Sequence, residues 1–432
     1  MLFCDNTKMK STPSSVRAHA FATLGKLCLR SEHLASENIN IFAQEMHQTI
    51  SNSSPAIRSN SLLALGDLCV RYTNLADKFL PIMASCLQVG LISLNESSSV
   101  RCFITEKFSI VRKHAVLLLS SLILQDYIKW RGLLFHRFLV TVVDSDENVS
   151  RLAAFLLCGP LLSKQPSLFC NNFVESVFVL NGYTSHPIYS SASGTESVNE
   201  NFIGFEDVNI MGVDGKIQRM KIYSLLLSRL TDVEKIEITA RLVKEILGAA
   251  NGSSGHLSYV CRKPMNSIIP SPHQGKNNVK QTKQIERAHH VLSDCFAILI
   301  CPDIHVGRAS RNSDVENEDT HQSLLASGPS ASQISVVKTR LLSKISRKHL
   351  IEIVVPILCS LKITLEKSCS CLLKDLMEYM LLIFRQFKVE VKDVLADTTF
   401  LQELEYDARK FEKERKKSNN ADEIVIMENH DK

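Results

Sequence analysis

The sequence predicts an all-α chain of stacked helix pairs, and three observations carry that prediction. The first is a thirteen-residue phrase that recurs as Val16–Cys28, Ile57–Cys69 and Val111–Ile123. Its positions 1, 5, 9 and 12 hold Val16, Ala20, Leu24 and Leu27, then Ile57, Ser61, Leu65 and Leu68, then Val111, Ala115, Leu119 and Leu122. Steps of four, four and three residues draw one apolar stripe along a helix, and the small residue at the fifth position lets a neighbouring helix come close. The second observation is spacing: the first two copies begin 41 residues apart, within the period of about 40–47 residues that HEAT and armadillo units share. The third is that shorter apolar-periodic stretches, Ile39–Ile50, Phe79–Leu87 and Leu133–Val143, precede copies of the phrase as first helices of the pairs. The fold class is therefore an all-α HEAT/armadillo-type α-solenoid with disordered insertions.

Each element follows from local chemistry. Thr12-Pro13 and Ser54-Pro55 read as N-cap hydroxyls followed by a proline at the first helical position. Asp144 with Glu147 reads as a capping-box-like start for a fourth unit carrying Val149, Ala153 and Leu157, where the repeat arginine has moved to Arg151. Between Leu87 and Val111 the chain uses far more residues than the same connection elsewhere. Residues of about 88–105 are therefore surplus to the repeat and are expected to bulge from it as a loop. Residues 1–180 form the HEAT-repeat domain on this reading. Residues 181–216, rich in Ser, Gly, Asn and Pro, read as loop or disorder.

Residues 217–302 read as a helical segment: Arg219–Leu230, Asp232–Ala249 with Thr231 and Glu234 as a capping box, and Ile285–Leu299. A polar linker, 252–281, interrupts it. The acidic stretch 303–335 reads as a disordered linker. A C-terminal helical block, 336–417, contains Ile351–Ile363 with Pro356 as a kink, Lys374–Phe387 and Val391–Phe411, and 418–432 reads as a disordered tail.

Composition narrows the function. With 45% apolar residues in 432 the chain can bury a large core, and a formal net charge of +5 permits nucleic acid as a partner without requiring it. Thirteen cysteines, an odd number without a framework, read as reduced intracellular thiols. The amino terminus lacks a convincing signal peptide, and no apolar run approaches a membrane span, so neither a membrane nor a small-molecule substrate is expected as a partner. Phosphate-binding glycine loops, a Gly-x-Ser-x-Gly elbow and a His-Glu-x-x-His pair are all missing, and the chain is read as no enzyme. His289-His290 with Cys295 and Cys301, and separately Cys369 and Cys371, lack the paired spacing that closes a zinc site. No metal and no cofactor are expected.

Two sets of cations remain. Arg17, Arg58 and Arg112 recur at the second position of each phrase, and a regularly spaced residue more often serves the repeat than a ligand, so they read as structural. The irregular cations Lys26, Arg30, Arg71, Lys113, Lys129 and Arg131 are the candidate contacts to a DNA backbone. Residues 1–180 hold 17 Lys and Arg against 13 Asp and Glu, a net +4. That suits salt-sensitive phosphate binding and not sequence readout. Trp130, the sole tryptophan, sits between Lys129 and Arg131 and reads as a packing anchor more than as a stacking platform.

Particular phrases also resemble a known family. Val16–Arg30 and Leu68–Leu80 resemble the C-terminal HEAT segment of the D-type non-SMC subunit of condensin. Lys129–Asp144, Met220–Tyr223, Ile351–Lys367 and Leu401–Phe411 fit the condensin II version. Because the chain begins within the repeats, it is read as the C-terminal part of that family's longer chain. The resemblance implies a regulatory HEAT subunit in the nucleus, on the chromosome. Its implied partners are an SMC ATPase heterodimer, a kleisin subunit and a second HEAT subunit, and its implied role is mitotic and meiotic chromosome condensation. It also implies DNA contact and admits histone contact. The competing reading from the repeat alone is a HEAT adaptor or scaffold for transport or for a phosphatase, without DNA binding.

Overall fold

A computed structural model describes residues 12–47, 54–87, 108–130, 133–183, 208, 210, 212–252, 255–262, 276–305, 348, 351–387, 402, 406, 409 and 410. The described residues form helices and turns and contain no strand. The all-α solenoid class therefore stands. Two compact units are distinguished, Met1–Leu225 and Leu226–Lys432.

In the first unit the helices are α1 (Ser14–Cys28), α2 (Glu32–His47), α3 (Pro55–Arg71), α4 (Thr73–Ala76, a 3₁₀ turn Asp77–Phe79, then Leu80–Ser85) and α5 (Ser109–Leu124). Next come α6 (Leu134–Thr141), α7 (Glu147–Leu156, through a π turn Leu157–Leu161 into Leu162–Lys164), α8 (Leu168–Leu180) and α9 (Gly212–Leu227). They stack in two rows. The recurring phrases make one row, with α1 against α3, α3 against α5 and α5 against α7, while α2, α4, α6 and α8 make the other.

The phrase helices run parallel. Near their starts Asn60 Nδ2 donates to the Ala18 carbonyl at 2.8 Å, and near their ends Tyr72 Oη donates to the Leu29 carbonyl at 3.2 Å. Midway, a Cβ on Gly25 would stand 2.9 Å from the Cβ of Ala64. That approach is set by backbone on both sides, so only glycine fits there. Between α3 and α5 the same direction holds: His114 Nδ1 lies 3.0 Å from Ser59 Oγ.

The apolar stripe behaves differently in the first copy. In α3 and α5 the residues at positions 1, 5, 9 and 12 are all buried. In α1 the buried set is Ala18, Phe21, Gly25 and Cys28, while Val16 is 48% and Leu27 52% exposed. A middle helix has a neighbour on each side and buries both faces. Among the described residues α1 has one only on the side of α2 and α3, and it buries that face alone.

Two helix starts differ from expectation. Pro13 itself is the N-cap of α1, and Ser54 caps α3 by position without a side-chain hydrogen bond, although Pro55 does occupy the first turn. The N-cap of α7 is Asp146, which accepts from the Asn148 amide at 2.9 Å. Asp144 is diverted to another role described below. The surplus segment 88–105 lies outside the described residues.

The second unit contains α10 (Asp232–Arg241, a π turn Leu242–Leu247, then Gly248–Asn251), α11 (His256–Arg262), α12 (Lys276–Ile300), α13 (351–367) and α14 (Leu372–Gln386). Thr231 and Glu234 do form a capping box: each side chain bonds the other's backbone amide. Helix α13 continues through Pro356.

The linker expected at 252–281 needs correction, because α11 lies within it and α12 begins before it ends. Leu257, Val260 and Cys261 are buried there. The Gly252 carbonyl accepts from Arg262 Nη2 at 2.6 Å and also from Ser258 Oγ. Ser368 Oγ after α13 donates to the Cys261 carbonyl at 2.7 Å. The boundary expected at 217 also moves, since α9 already starts at Gly212. The acidic linker beyond residue 305, the stretch 388–401 and the tail 418–432 lie outside the described residues.

Candidate functional site

The described cations of both sets lie in the first unit, and Lys26, Arg30, Arg71 and Lys129 are at or beyond the far ends of the phrase helices. The repeat arginines sit at the starting ends. Arg58 is fully buried, and its Nη1 donates to the Glu45 carbonyl in the last turn of α2 at 3.1 Å. Arg17 Nη2 lies 3.5 Å from Oε2 of the same Glu45, a carboxylate only 2% exposed. Arg112 forms a two-pronged pair with Asp144, Nε to Oδ2 at 2.7 Å and Nη2 to Oδ1 at 2.8 Å, with both side chains buried. Arg17 and Arg58 thus reach from the starts of phrase helices to the last turn of α2 in the other row, and Arg112 reaches to the loop that follows α6. The forked guanidinium suits this task because it bonds a carboxylate or carbonyl in a fixed plane.

The irregular cations separate into two places. Lys26 and Arg30 at the end of α1 are exposed, as are Arg71 at the end of α3 and Lys129 beyond the end of α5. The Tyr72–Leu29 bond draws the ends of α1 and α3 together, so Lys26, Arg30 and Arg71 share one edge. The Arg71 guanidinium also lies over the Tyr72 ring, 5.9 Å from its centroid. Lys113 is exposed too, but it is in the early turns of α5. At 1.5 Å per residue it stands about 16 Å from the far end of that helix, and it does not join the edge. Arg131 lies outside the described residues.

Cations at helix ends have a local explanation as well, since they face the negative end of the helix dipole. Lys164 shows the strong form of it. Its Nζ donates to the Ile123 and Leu124 carbonyls at 2.9 and 2.7 Å and pairs with Asp126 at 2.7 Å. Lys164 was absent from the sequence candidates because its partners lie about 40 residues away. Arg219 was likewise missed; it is buried and bonds the Ile210 carbonyl.

Trp130 is half-buried, with Phe135 and Phe138 edge-on to it at centroid distances of 5.8 and 5.4 Å. Both contacts pack the indole against α6. Burial pushes the thiols of Cys261 and Cys359 up, to about 12 and about 11, and raises those of Cys28, Cys69 and Cys301. Among the described residues no group of three His, Cys, Asp or Glu side chains is placed to hold a metal ion. No described helix is long and apolar enough to cross a membrane.

Known proteins share these helix pairs in sequence. Residues 303–420 and 3–46 match two models described as condensin-2 complex subunit D3-like HEAT repeats. Residues 97–206 match a model described as non-SMC mitotic condensation complex subunit 1. Condensin-2 complex subunit D3 of Mus musculus is 30% identical over 407 residues, covering 94% of this chain and 23% of that protein. Subunit D3-L of Xenopus laevis is 29% identical over 410 residues, 94% of this chain and 24% of the relative. Subunit CAP-D3 of Arabidopsis thaliana is 29% identical over 420 residues, 96% and 27%. This chain thus spans about a quarter of the length of the curated relatives it matches. The matched models and relatives agree with the stacked helix pairs, and along nearly its whole length the chain is similar to condensin-2 subunit D3 proteins and their HEAT repeats.

Proposed function

We propose that the chain is a non-catalytic HEAT-repeat subunit of condensin II, working in the nucleus on chromosomes during mitotic and meiotic condensation. The observation that carries this reading is the match to subunit D3 relatives along nearly the whole chain. On this reading its partners are an SMC ATPase heterodimer, a kleisin subunit and the second HEAT subunit of the complex. The stacked rows offer a long surface for an extended kleisin segment, and ATP chemistry belongs to the SMC partners.

Purifying the full chain from nuclear extract should recover the SMC pair and the kleisin. Recovery of an import receptor or a phosphatase in their place would favour the adaptor or scaffold reading.

The edge formed by Lys26, Arg30 and Arg71, extended by Lys129, is the proposed DNA-backbone contact, with histones as a further ligand on the same chromatin. Lys113 and Arg131 complete the candidate set but are not placed on that edge. Arg17, Arg58 and Arg112 are proposed as structural, since each is tied to Glu45 or Asp144. Neutralising three phosphates would make affinity for duplex DNA fall roughly 40-fold between 50 and 200 mM salt. Fluorescence anisotropy with a labelled duplex measures this, and reversing Lys26, Arg30 and Arg71 to Glu should abolish the salt-dependent part. Binding that ignores salt, or survives the triple reversal, would remove the DNA contact from this edge.

A further inference from the structure

The cysteines of the second unit divide sharply by environment. Cys261 and Cys295 are buried, and burial raises both thiols, holding them protonated. Cys301 and Cys359 are partly covered and are raised for the same reason. Among the described cysteines only Cys369 and Cys371 are exposed. They flank Ser370 in the turn between α13 and α14, and Cys369 takes a left-handed backbone with φ of 48°.

The two exposed thiols face different partners. Cys369 Sγ is directed at a carbonyl oxygen, that of Glu366 at 3.8 Å, which can only accept the thiol proton as a hydrogen bond. Cys371 Sγ lies 3.6 Å from Nε2 of His289 on α12. The packing of α12 against α14 brings these two side chains together across 82 residues of sequence. An imidazole nitrogen, unlike a carbonyl, can take the proton outright. Cys371 is also the N-cap residue of α14, a helix of 15 residues, whose positive end favours a negative sulfur.

We propose that Cys371 and His289 form a reactive thiol–imidazole pair and that Cys371 is the site at which this chain is oxidised by hydroperoxides. In the tautomer protonated on Nδ1, His289 accepts the thiol proton at Nε2, leaving a thiolate beside an imidazolium. The thiolate sulfur attacks one peroxide oxygen and forms an S–O bond as the O–O bond breaks. The departing oxygen takes the proton back from His289 as water or an alcohol. Cys371 ends as a sulfenic acid, oxidised by two electrons, and the peroxide is reduced by two. Exposure lets the peroxide in, and the same exposure lets cellular thiols reduce the product.

Cys369 is a control built into the same turn, also exposed but without the imidazole. The test treats the full chain with hydrogen peroxide at neutral pH, traps sulfenic acid with a cyclic dione, and measures the rate at each cysteine by peptide mass spectrometry. The thiolate is the attacking form and only Cys371 has an imidazole within reach of its proton, so Cys371 should react roughly tenfold or more faster than Cys369. His289→Gln should bring Cys371 down to the rate of Cys369 and leave Cys369 unchanged. Cys371→Ser should abolish the fast phase. Labelling at the buried Cys295 reports unfolding, so a variant is read only where Cys295 stays unlabelled; His289→Asn then serves as the second test of the imidazole. Equal rates at Cys369 and Cys371, or a fast Cys371 that persists without the imidazole, would overturn the proposal.

Discussion

Arg112→Ala should be among the most destabilising single substitutions in the first unit, costing about 3–5 kcal/mol. The side chains of Arg112 and Asp144 are 3% and 1% exposed, and two short charge-assisted bonds join them. Removing the guanidinium leaves a carboxylate with little water and with the Asp146 amide as a smaller compensation, at 2.8 Å from Oδ1. The stranded charge, more than the lost attraction, sets the size of the effect. Asp144→Asn should cost a comparable amount, since it leaves the buried Arg112 guanidinium charged and turns an amide donor toward it. Removing both charges together, as Arg112→Met with Asp144→Leu, should recover much of the loss because no ion is left unpaired. Urea unfolding of the parent chain, Arg112→Met, Asp144→Leu and the double variant gives the coupling directly. Additive losses would mean that the pair does not act as a unit.

Acid should weaken the first unit through His136. Helix α6 is buried on nearly every side, and His136 is 1% exposed, with the Phe135 ring edge-on at 5.5 Å. Neither ring nitrogen has a hydrogen-bond partner among the described residues. Desolvation therefore pushes its pKa down from 6.5 to about 3. The unfolded chain takes up a proton near pH 6.5 that the folded chain refuses until about pH 3. The neutral ring's contribution is whole above pH 6.5 and is lost as pH falls through that window, by roughly 1.4 kcal/mol per pH unit. His136→Phe should remove this slope and leave the part due to carboxylates. Denaturation midpoints from pH 7 to pH 4.5 compare the two chains, and parallel curves would show that water reaches the ring.

The residues explain which of these features could be read from sequence. The interior phrase helices were legible because burial on two sides makes their periodicity unmistakable. The same rule misassigned the buried face of α1, because periodicity shows that a stripe is apolar and not whether a neighbour covers it. Thr231 and Glu234 were legible because a capping box closes within one turn. Helix α11 was not, since seven residues hold too few periods to stand out from a polar stretch. Arg112 was recognised as part of the repeat, but Asp144 was taken for a cap. Its partner is 32 residues away, and only the stacking of the rows brings them together. The pairing of Cys371 with His289 was hidden for the same reason.

The single-file contact of the phrase helices has a mechanical consequence. Among the described residues α1 leans on α3, α3 on α5 and α5 on α7, with no strong tie that skips a neighbour. A pull along the stack is carried in series from one helix pair to the next, so each junction between pairs, phrase row and second row together, bears the whole load while the extension is shared among the junctions. Stiffness then falls with each helix added, and the yield point belongs to the weakest interface, whatever the total buried area. A row built this way is a spring before it is a strut, able to lengthen under tension while each helix keeps its own hydrogen bonds.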